Sequence, residues 1–352
     1  MEETHHLLHN VLKQFKVPEK TYRFDSITQG FINDTYLVFH QDTALFILQR
    51  INHNVFLNID GVMANIGQAL AHLQGTGYAR IQLIKTGDGH QYLNTTEGFW
   101  RLMTYIPQSV AYNTTTDPKT AYEAGRIIGR FHCLLHNAKV NTFVDTIPRF
   151  HDIKLRKQQF EEALAAASPE RKAECSNDIG DAMDMLDIFG RLHDQKLPVR
   201  VCHNDTKLNN ILFSKEEKRA LCLIDLDTLM KGYFYYDFGD AVRTIVNTAP
   251  EDERDHGAIG FNMMLFEHFV DGLASNEAFL HQGEIESLTL GTAFMPFIHG
   301  LRALTDYLNG DIYYKVSYPD QNLVRCRSLF HFTSKTLEKK ERMEEIIGDK
   351  LR

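Results

Sequence analysis

The sequence predicts an α+β fold with two lobes: a small mixed N-terminal lobe built on an antiparallel sheet, and a larger, mainly helical C-terminal lobe. Two observations predict it. Strand-length segments rich in aromatic and β-branched residues dominate up to residue 105, and helix-length segments dominate from residue 107 onward. The 352 residues correspond to about two domains. We place the first domain at residues 1–105 and the second at residues 106–352.

The N-terminal lobe opens with a predicted helix over Glu2–Gln14, whose apolar residues fall on one face and which ends before Pro18. After it the pattern changes to short segments bounded by polar turns, such as Thr86-Gly-Asp-Gly89. These segments predict three strands, a helix and three strands: Tyr22–Thr28, Thr35–Phe39, Ala44–Ile51, Val62–Leu73, Ile81–Lys85, Gln91–Leu93 and Phe99–Tyr105.

The C-terminal lobe is predicted to be helical apart from two short strands, Asn210–Phe213 and Leu221–Ile224. The charged segment from Lys335 to Arg352 is predicted to be a solvated face of the last helix. Six segments have helix length and apolar periodicity: Lys119–His136, Lys154–Ala166, Glu170–His193, His256–Leu273, Glu284–Asn309 and Leu323–Ile347.

Composition excludes several classes of function. The formal net charge is −8 and no block of basic residues occurs, which argues against nucleic acid or an anionic membrane as partner. The five cysteines are scattered and form no C-x-x-C pair, as expected for reduced thiols in the cytoplasm. No apolar run has the length of a membrane span, and the acidic N-terminus is unlike a signal peptide. We therefore expect a cytoplasmic protein, a monomer or small homo-oligomer, acting on small molecules.

The segment His203-Asn-Asp-Thr-Lys-Leu-Asn-Asn210 carries the chemistry, together with Asp225 at the end of an apolar strand. This spacing suits phosphoryl transfer from ATP to a hydroxyl, since one carboxylate, Asp205, can orient the attacking hydroxyl. Asn210 and Asp225 supply the oxygen ligands that hold Mg²⁺ on the ATP phosphates. Lys207 can neutralise the charge on the transferring group. We predict Asp205 and Lys207 as catalytic residues.

A second acidic motif, Tyr236-Asp-Phe-Gly-Asp240, has the letters of the protein-kinase magnesium motif. It follows no apolar strand, however, and Asp225 is better placed after Asp205. We therefore predict that Asp237 has a structural role and fixes the catalytic loop by hydrogen bonds.

These motifs, with Gly30–Val38, Phe46–Asn52, Asp306–Tyr313 and Tyr318–Arg325, resemble the aminoglycoside phosphotransferase/choline kinase superfamily, and within it the N-acetylhexosamine 1-kinases. The resemblance spans nearly the whole chain. It implies a bilobal protein-kinase-like fold, ATP with Mg²⁺, and phosphorylation of an N-acetylhexosamine at its anomeric hydroxyl. Arg302 and Tyr313 match positions that contact the sugar in those kinases. In the alternative, Arg302 pairs with Asp306 and Tyr313 packs in the core.

The N-terminal lobe is the expected nucleotide-binding lobe, with Gly30, Asn33 and Thr35 in the loop that covers the phosphates and Tyr105 at the adenine hinge. Its third strand has no lysine, so Arg50 is the predicted phosphate clamp. Whether Gln49 or Arg50 faces the cleft depends on strand register. Phe31 stands where the hexosamine kinases have a histidine that touches the sugar, which implies a more apolar contact with the substrate.

Two alternatives stay open. The acceptor of the same chemistry can be an aminoglycoside, a choline-like amine or another small alcohol, with Asp227, Asp306 and Asp311 available to surround a cation. In the other alternative, the chain is a nucleotide-binding pseudoenzyme or regulatory module, as the missing strand lysine allows.

Overall fold

A computed structural model describes residues 2–27, 32–193 and 196–351. Its first hundred residues form one helix, three strands, a second helix and three further strands, which confirms the predicted order. The elements are α1 (Glu2–Leu12), β1 (Arg23–Ile27), β2 (Asp34–His40), β3 (Thr43–Ile51), α2 (Ile59–His72), β4 (Leu83–Ile84), β5 (Leu93–Thr95) and β6 (Gly98–Thr104). The sheet order is β1-β2-β3-β6-β4, with β5 also on β6, and every pair is antiparallel.

The two faces of this sheet differ in character because side chains alternate along β3 and β6. Leu48 and Trp100 point to one face, where they pack in a core formed with α1. Gln49 and Arg101 lie directly opposite each other and point to the other face. The sheet therefore presents a polar pair toward the C-terminal lobe.

The C-terminal lobe is mainly helical, with two small antiparallel sheets of order β10-β9-β7 and β11-β8. The predicted α+β fold class is thus confirmed. The elements are β7 (Ser109–Val110), α3 (Pro118–Leu135), α4 (Ile153–Ala166), α5 (Pro169–Glu174), α6 (Ser176–His193), β8 (Arg200–Cys202), β9 (Ile211–Ser214), β10 (Ala220–Leu223), β11 (Met230–Gly232), α7 (Phe234–Ile245), α8 (Met263–Ala274), α9 (Gln282–Leu308), α10 (Gln321–Leu337) and α11 (Lys340–Leu351).

Three predicted helices have different bounds in the structure. The segment predicted as one helix over Glu170–His193 forms α5 and α6, and the last predicted helix is divided into α10 and α11. Helix α8 begins later than predicted because the Asn262 side chain accepts a hydrogen bond from the backbone N–H of Leu265 and caps it. Within the charged tail, Met343 and Ile347 of α11 are buried while Glu344 and Glu345 are exposed, as expected for an amphipathic helix with one solvated face.

Buried residues form two separate cores. The smaller core joins α1 to one face of the N-terminal sheet. The larger core fills the helical lobe and also takes in α2, which lies before the predicted boundary at residue 105. Among the described helices, none is both long and apolar enough to cross a membrane. The division into domains at residues 105 and 106 stays a prediction.

Candidate active site

The loop between β8 and β9 brings together three of the residues selected from the sequence. The Asp205 carboxylate accepts hydrogen bonds from Lys207 Nζ at 2.8 Å and from Asn210 Nδ2 at 2.9 Å. The same Asn210 amide also donates to the backbone oxygen of Asp205 at 2.8 Å. Asn210 thus holds both the side chain and the backbone of Asp205, and this fixes the direction of the carboxylate.

Lys207 determines the charge state of Asp205. Burial by itself would raise the pKa of Asp205, but the positive charge of Lys207 and its hydrogen bond outweigh burial, and the pKa is lowered. In return, Asp205 and Asp225 raise the pKa of Lys207 although burial opposes this. At neutral pH the pair is therefore an ionised carboxylate and an ammonium group.

Asp225 lies beside Asn210 because the backbone N–H of Ile224 donates to the Asn210 carbonyl oxygen at 2.9 Å, next to the β9–β10 pairing. Its backbone is left-handed, with φ 61° and ψ 55°, a conformation that aspartate tolerates better than most residues. Burial and the negative charges of Asp227 and Asp205 raise its pKa to about 6. Its carboxylate accepts no hydrogen bond from any residue that the structure describes.

The residues present fit a divalent cation. The Asn210 amide nitrogen is turned toward Asp205, which leaves its oxygen, Oδ1, without a described donor. Asp225, whose chain neighbour Ile224 bonds to the Asn210 backbone, also has no described donor on its carboxylate. An amide oxygen and an unpartnered carboxylate form the hard oxygen set that Mg²⁺ prefers. A cation here would also relieve the repulsion between Asp225 and its acidic neighbours.

Asp237 holds the catalytic loop, as predicted. Its carboxylate accepts hydrogen bonds from the backbone N–H groups of His203 at 2.8 Å and Asn204 at 2.7 Å, and it contacts His132 Nε2 at 2.9 Å. Its backbone oxygen accepts a hydrogen bond from Thr206 Oγ1 at 2.6 Å. Asp237 is fully buried in α7, and this helix was not predicted from the sequence.

His203 joins the two halves of the site. Its Nδ1 accepts a hydrogen bond from the backbone N–H of Asp205 at 3.3 Å, so the proton resides on Nε2, which donates to the Ile224 carbonyl oxygen at 2.8 Å. The imidazole therefore connects the residue before Asp225 to the residue that carries the predicted base. The role of the histidine in this motif is to align the loop and the strand end.

On the N-terminal lobe, the structure places Asn33 at the site by way of Asp227, whose carboxylate accepts a hydrogen bond from Asn33 Nδ2 at 2.6 Å. Thr35 accepts a hydrogen bond from Gln49 Nε2 at 3.0 Å, and so belongs to the same network. Gly30 and Phe31, predicted to contact nucleotide and sugar, lie outside the described residues.

The structure does not bring Arg50 to this group. Arg50 forms an exposed pair with Asp34 and lies over the Trp100 ring at 5.8 Å, on the sheet face that packs against α1. Gln49 is the residue on the opposite face. At the predicted hinge, the N–H of Tyr105 donates to the Leu45 carbonyl oxygen at 2.9 Å, whereas the N–H of Ile106 has no partner among the described residues.

Arg302 and Tyr313 lie together, with Arg302 Nη2 at 3.4 Å from the Tyr313 hydroxyl oxygen. The two structural alternatives, Arg302 paired with Asp306 and Tyr313 packed in the core, are both wrong. Tyr313 is 61% exposed, and Asp306 is engaged with the backbone N–H groups of residues 312–314. Arg302 also lies over the rings of Phe150 and Tyr314, at 5.1 and 5.8 Å. It has no carboxylate partner in the described part of the chain.

This arginine–tyrosine group connects to the catalytic loop through His151. His151 follows Phe150 in the chain, and its Nε2 contacts the Asn204 carbonyl oxygen at 3.1 Å. His299 stands one turn before Arg302 on α9, with its Nε2 at 3.4 Å from the Asp240 carboxylate. The side chains thus trace a path from the residue beside Asp205 to the exposed Tyr313.

The three acids considered for a cationic substrate are all engaged. Asp227 binds Arg101 and Asn33, Asp306 binds backbone N–H groups and Asn322, and Asp311 pairs with Arg171 at 2.9 Å. Over the Tyr314 ring lie the guanidinium groups of Arg302 and Arg325. The chain's own cations therefore occupy this aromatic surface.

Sequence reasoning missed Arg101, His151 and His299. His151 and His299 are single histidines in segments without a motif, and no local signal distinguishes them. Arg101 did carry a signal, since it is the one charged residue in the apolar strand Phe99-Trp-Arg-Leu-Met103. A buried charge in such a strand requires a partner, and the partner lies 126 residues away.

Comparison with known proteins identifies a family and a shared fold. Residues 24–268 match the family described as the phosphotransferase enzyme family. A microcompartment-associated aminopropanol kinase shares the fold, with a TM-score of 0.62, 16% identity and 99% of each chain covered. An amicoumacin kinase in complex with AMP-PNP and Ca²⁺ has a TM-score of 0.60 and 15% identity, over 95% of this chain and 94% of that one.

A choline/ethanolamine kinase family protein from Mesorhizobium loti aligns with a TM-score of 0.59 and 14% identity, over 97% of this chain and 98% of the other. At such identities the likeness to the three structures shows the fold.

Proposed function

The chain belongs to the phosphotransferase enzyme family, and on this premise we propose that it uses ATP and Mg²⁺ to phosphorylate the anomeric hydroxyl of an N-acetylhexosamine. Membership makes it a small-molecule phosphotransferase of the aminoglycoside phosphotransferase/choline kinase superfamily. The observation that carries the proposed reaction is the convergence of Asp205, Lys207, Asn210 and Asp225 at one end of the β9–β10 hairpin.

In the proposed reaction, Asp205 accepts the hydrogen bond of the acceptor hydroxyl and directs its oxygen at the γ-phosphate. Lys207, held on Asp205, balances the negative charge that spreads over the transferring group. Asn210 Oδ1 and Asp225 would hold Mg²⁺, which when bound neutralises the phosphates of ATP. Asn33 and Thr35 belong to the proposed nucleotide side of the site, together with Gly30 and Tyr105, whereas Arg50 lies on the opposite face of the sheet and is left out of it.

The lowered pKa of Asp205 bears on the acceptor. A carboxylate paired with Lys207 is a weak base, so it orients a hydroxyl better than it removes a proton. An anomeric hydroxyl is more acidic than an ordinary alcohol and needs less help to lose its proton. This supports transfer to the 1-position of a sugar.

The charges around Arg302 and Tyr313 also support a sugar over an amine. Asp227, Asp306 and Asp311 already have partners, and Arg302 has none among the described carboxylates. A guanidinium without a carboxylate partner repels a cationic substrate but donates hydrogen bonds to hydroxyl and carbonyl oxygens. We therefore propose that Arg302 and Tyr313 bind the sugar, with Phe31 contributing an apolar contact.

The experiment is incubation with ATP, Mg²⁺ and a panel of N-acetylated hexoses, plain hexoses, amino alcohols and aminoglycosides, with the product read by ³¹P NMR. We expect a phosphate coupled to the anomeric proton of an N-acetylhexosamine. Asp205→Asn should keep the melting temperature and lose at least ~100-fold in turnover. Phosphate found only on an amino alcohol or aminoglycoside would reject the sugar acceptor. An Asp205→Asn variant as active as the parent would reject the base.

A further inference from the structure

The buried carboxylate of Asp227, two residues after Asp225, joins the two lobes. The Asp227 side chain, 1% exposed, accepts two hydrogen bonds from the Arg101 guanidinium, one of them at 3.0 Å, and one from Asn33 Nδ2 at 2.6 Å. Arg101 comes from β6 and is also 1% exposed, and Asn33 directly precedes β2. Two parts of the N-terminal sheet thus meet on a single carboxylate of the C-terminal lobe.

The groups that hold Asp227 are themselves held. Arg101 Nε donates to Gln49 Oε1 at 2.9 Å, and Gln49 Nε2 donates to Thr35 Oγ1 at 3.0 Å. Asn33 Oδ1 accepts a hydrogen bond from the backbone N–H of Asn52 at 2.9 Å. All three nitrogens of Arg101 therefore have partners, and the guanidinium is buried between the two lobes and directed at Asp227.

The turn that Asp227 belongs to starts at Asp225. Residues 226–228 form a single 3₁₀ turn that follows the left-handed Asp225, so the direction of the Asp225 carboxylate depends on where this turn is anchored. A left-handed aspartate has a conformational cost that the surroundings must offset. Hydrogen bonds at Ile224 hold the chain before Asp225, and the bidentate Arg101–Asp227 pair anchors the turn that follows it.

We propose that Arg101 is a positioning residue which, through Asp227, holds the Asp225 carboxylate in the direction required for a metal-bound nucleotide. Asn33 on the same carboxylate connects the segment between β1 and β2 to the same anchor. Since the third strand has no lysine and Arg50 faces away, this network is the link that the structure shows between the N-terminal sheet and the metal-binding turn. The inference rests on the proposed function for its metal and nucleotide.

A purely structural pair is the competing explanation, because buried ion pairs need not add to activity. The two roles differ in what they predict for binding. Loss of a structural pair lowers stability without a specific effect on the metal, whereas loss of a positioning pair weakens the metal-dependent part of nucleotide binding. Residues that orient metal ligands typically change metal affinity ~10–100-fold when replaced.

The test uses Arg101→Lys, which keeps the charge but not the bidentate geometry, and Gln49→Leu, which removes the bonds of Gln49 to Arg101 Nε and to Thr35 Oγ1 and leaves the Arg101–Asp227 pair in place. ATP affinity is measured by calorimetry in EDTA and with Mn²⁺ as the probe ion. We expect the gain in affinity from Mn²⁺ to fall at least ~10-fold in Arg101→Lys and less in Gln49→Leu, with binding in EDTA changed under ~2-fold. Hydrogen exchange over residues 225–228 should rise in parallel.

Arg50→Lys is the matched control. Arg50 follows Gln49 on β3, faces the opposite side of the sheet and pairs with exposed Asp34. The substitution should therefore leave every readout unchanged. If Arg101→Lys does not fold, Gln49→Leu decides. Folded variants that keep the parent's gain from Mn²⁺ would overturn the proposal. The binding readout needs no acceptor, so an amine substrate would leave this test intact, whereas a parent that binds no ATP would reject the proposed function itself.

Discussion

At the scale of single residues, His151 couples acidity to the stability of the catalytic loop. It contacts the Asn204 carbonyl oxygen through Nε2, and its Nδ1 is buried without a partner in the described structure. Burial lowers its pKa from 6.5 to about 4, opposed by the Asn204 bond and by Asp240. The groups around it include Arg302, His299 and Tyr236. His151 is thus neutral at neutral pH.

The unfolded chain binds a proton at His151 below pH 6.5 and the folded chain only below about pH 4, so acid favours the unfolded state between these values. Between pH 7 and pH 5 this one group should reduce the free energy of unfolding by about 2 kcal/mol. Urea unfolding at pH 7 and pH 5 measures how much the free energy of unfolding falls. In His151→Gln, whose amide can still donate to Asn204, this fall should be about 2 kcal/mol smaller than in the parent. The same loss in parent and variant would contradict the prediction.

At the scale of elements, α3 and α8 cross at two glycines. A Cβ atom built on Gly125 would lie 1.9 Å from the Phe269 carbonyl oxygen, and one on Gly272 would lie 1.8 Å from that of Tyr122. The backbones touch there, so a methyl group has no space unless the helices separate. Gly125→Ala should destabilise the protein by about 1–3 kcal/mol, measured by urea unfolding.

Gly180 supplies the opposite case. It lies in α6 with open space where a Cβ would stand, so Gly180→Ala should stabilise the protein by about 0.5–1 kcal/mol through helix propensity. Equal effects of the two alanines would show that helix propensity, and not the close crossing, decides the outcome.

The elements also show what the sequence could and could not predict. The strands of the N-terminal sheet were predicted because alternation and turns are local signals, and the cluster of Asp205, Asn210 and Asp225 because its spacing is set within one hairpin. Helix α7 was missed because Gly239 interrupts its pattern. That glycine faces the Gly291 carbonyl oxygen on α9, 2.3 Å from a built Cβ, and a contact between distant elements leaves no local signal. Arg101 differs, because its place in an apolar strand is a local signal and only its partner, 126 residues away, could not be found locally.

At the scale of the whole molecule, the two cores give the lobes separate sources of stability. Leu12 of α1 is 2% exposed in the smaller core, and Leu304 of α9 is fully buried in the larger one. Leu12→Ala should lower the free energy of unfolding by about 2–4 kcal/mol, and the smaller core should be the first part to open. Hydrogen exchange should then speed up in β2 and β3 while α9 keeps its protection.

Leu304→Ala is the matched substitution, with the same change of side chain in the other core. It should accelerate exchange in α9 and the helices that pack on it. Loss of protection over the whole chain in both variants would show that the two cores unfold as one unit.

Arg302, left without a counter-charge, has a consequence for the end of the catalytic cycle. In the proposed reaction a neutral sugar is converted to a dianionic ester, and we expect the Arg302 guanidinium to hold that ester more firmly than the sugar. Release of the ester should then be the rate-limiting step at low ionic strength. Added salt, which shortens the reach of that attraction, should speed the escape until it weakens the binding of ATP as well.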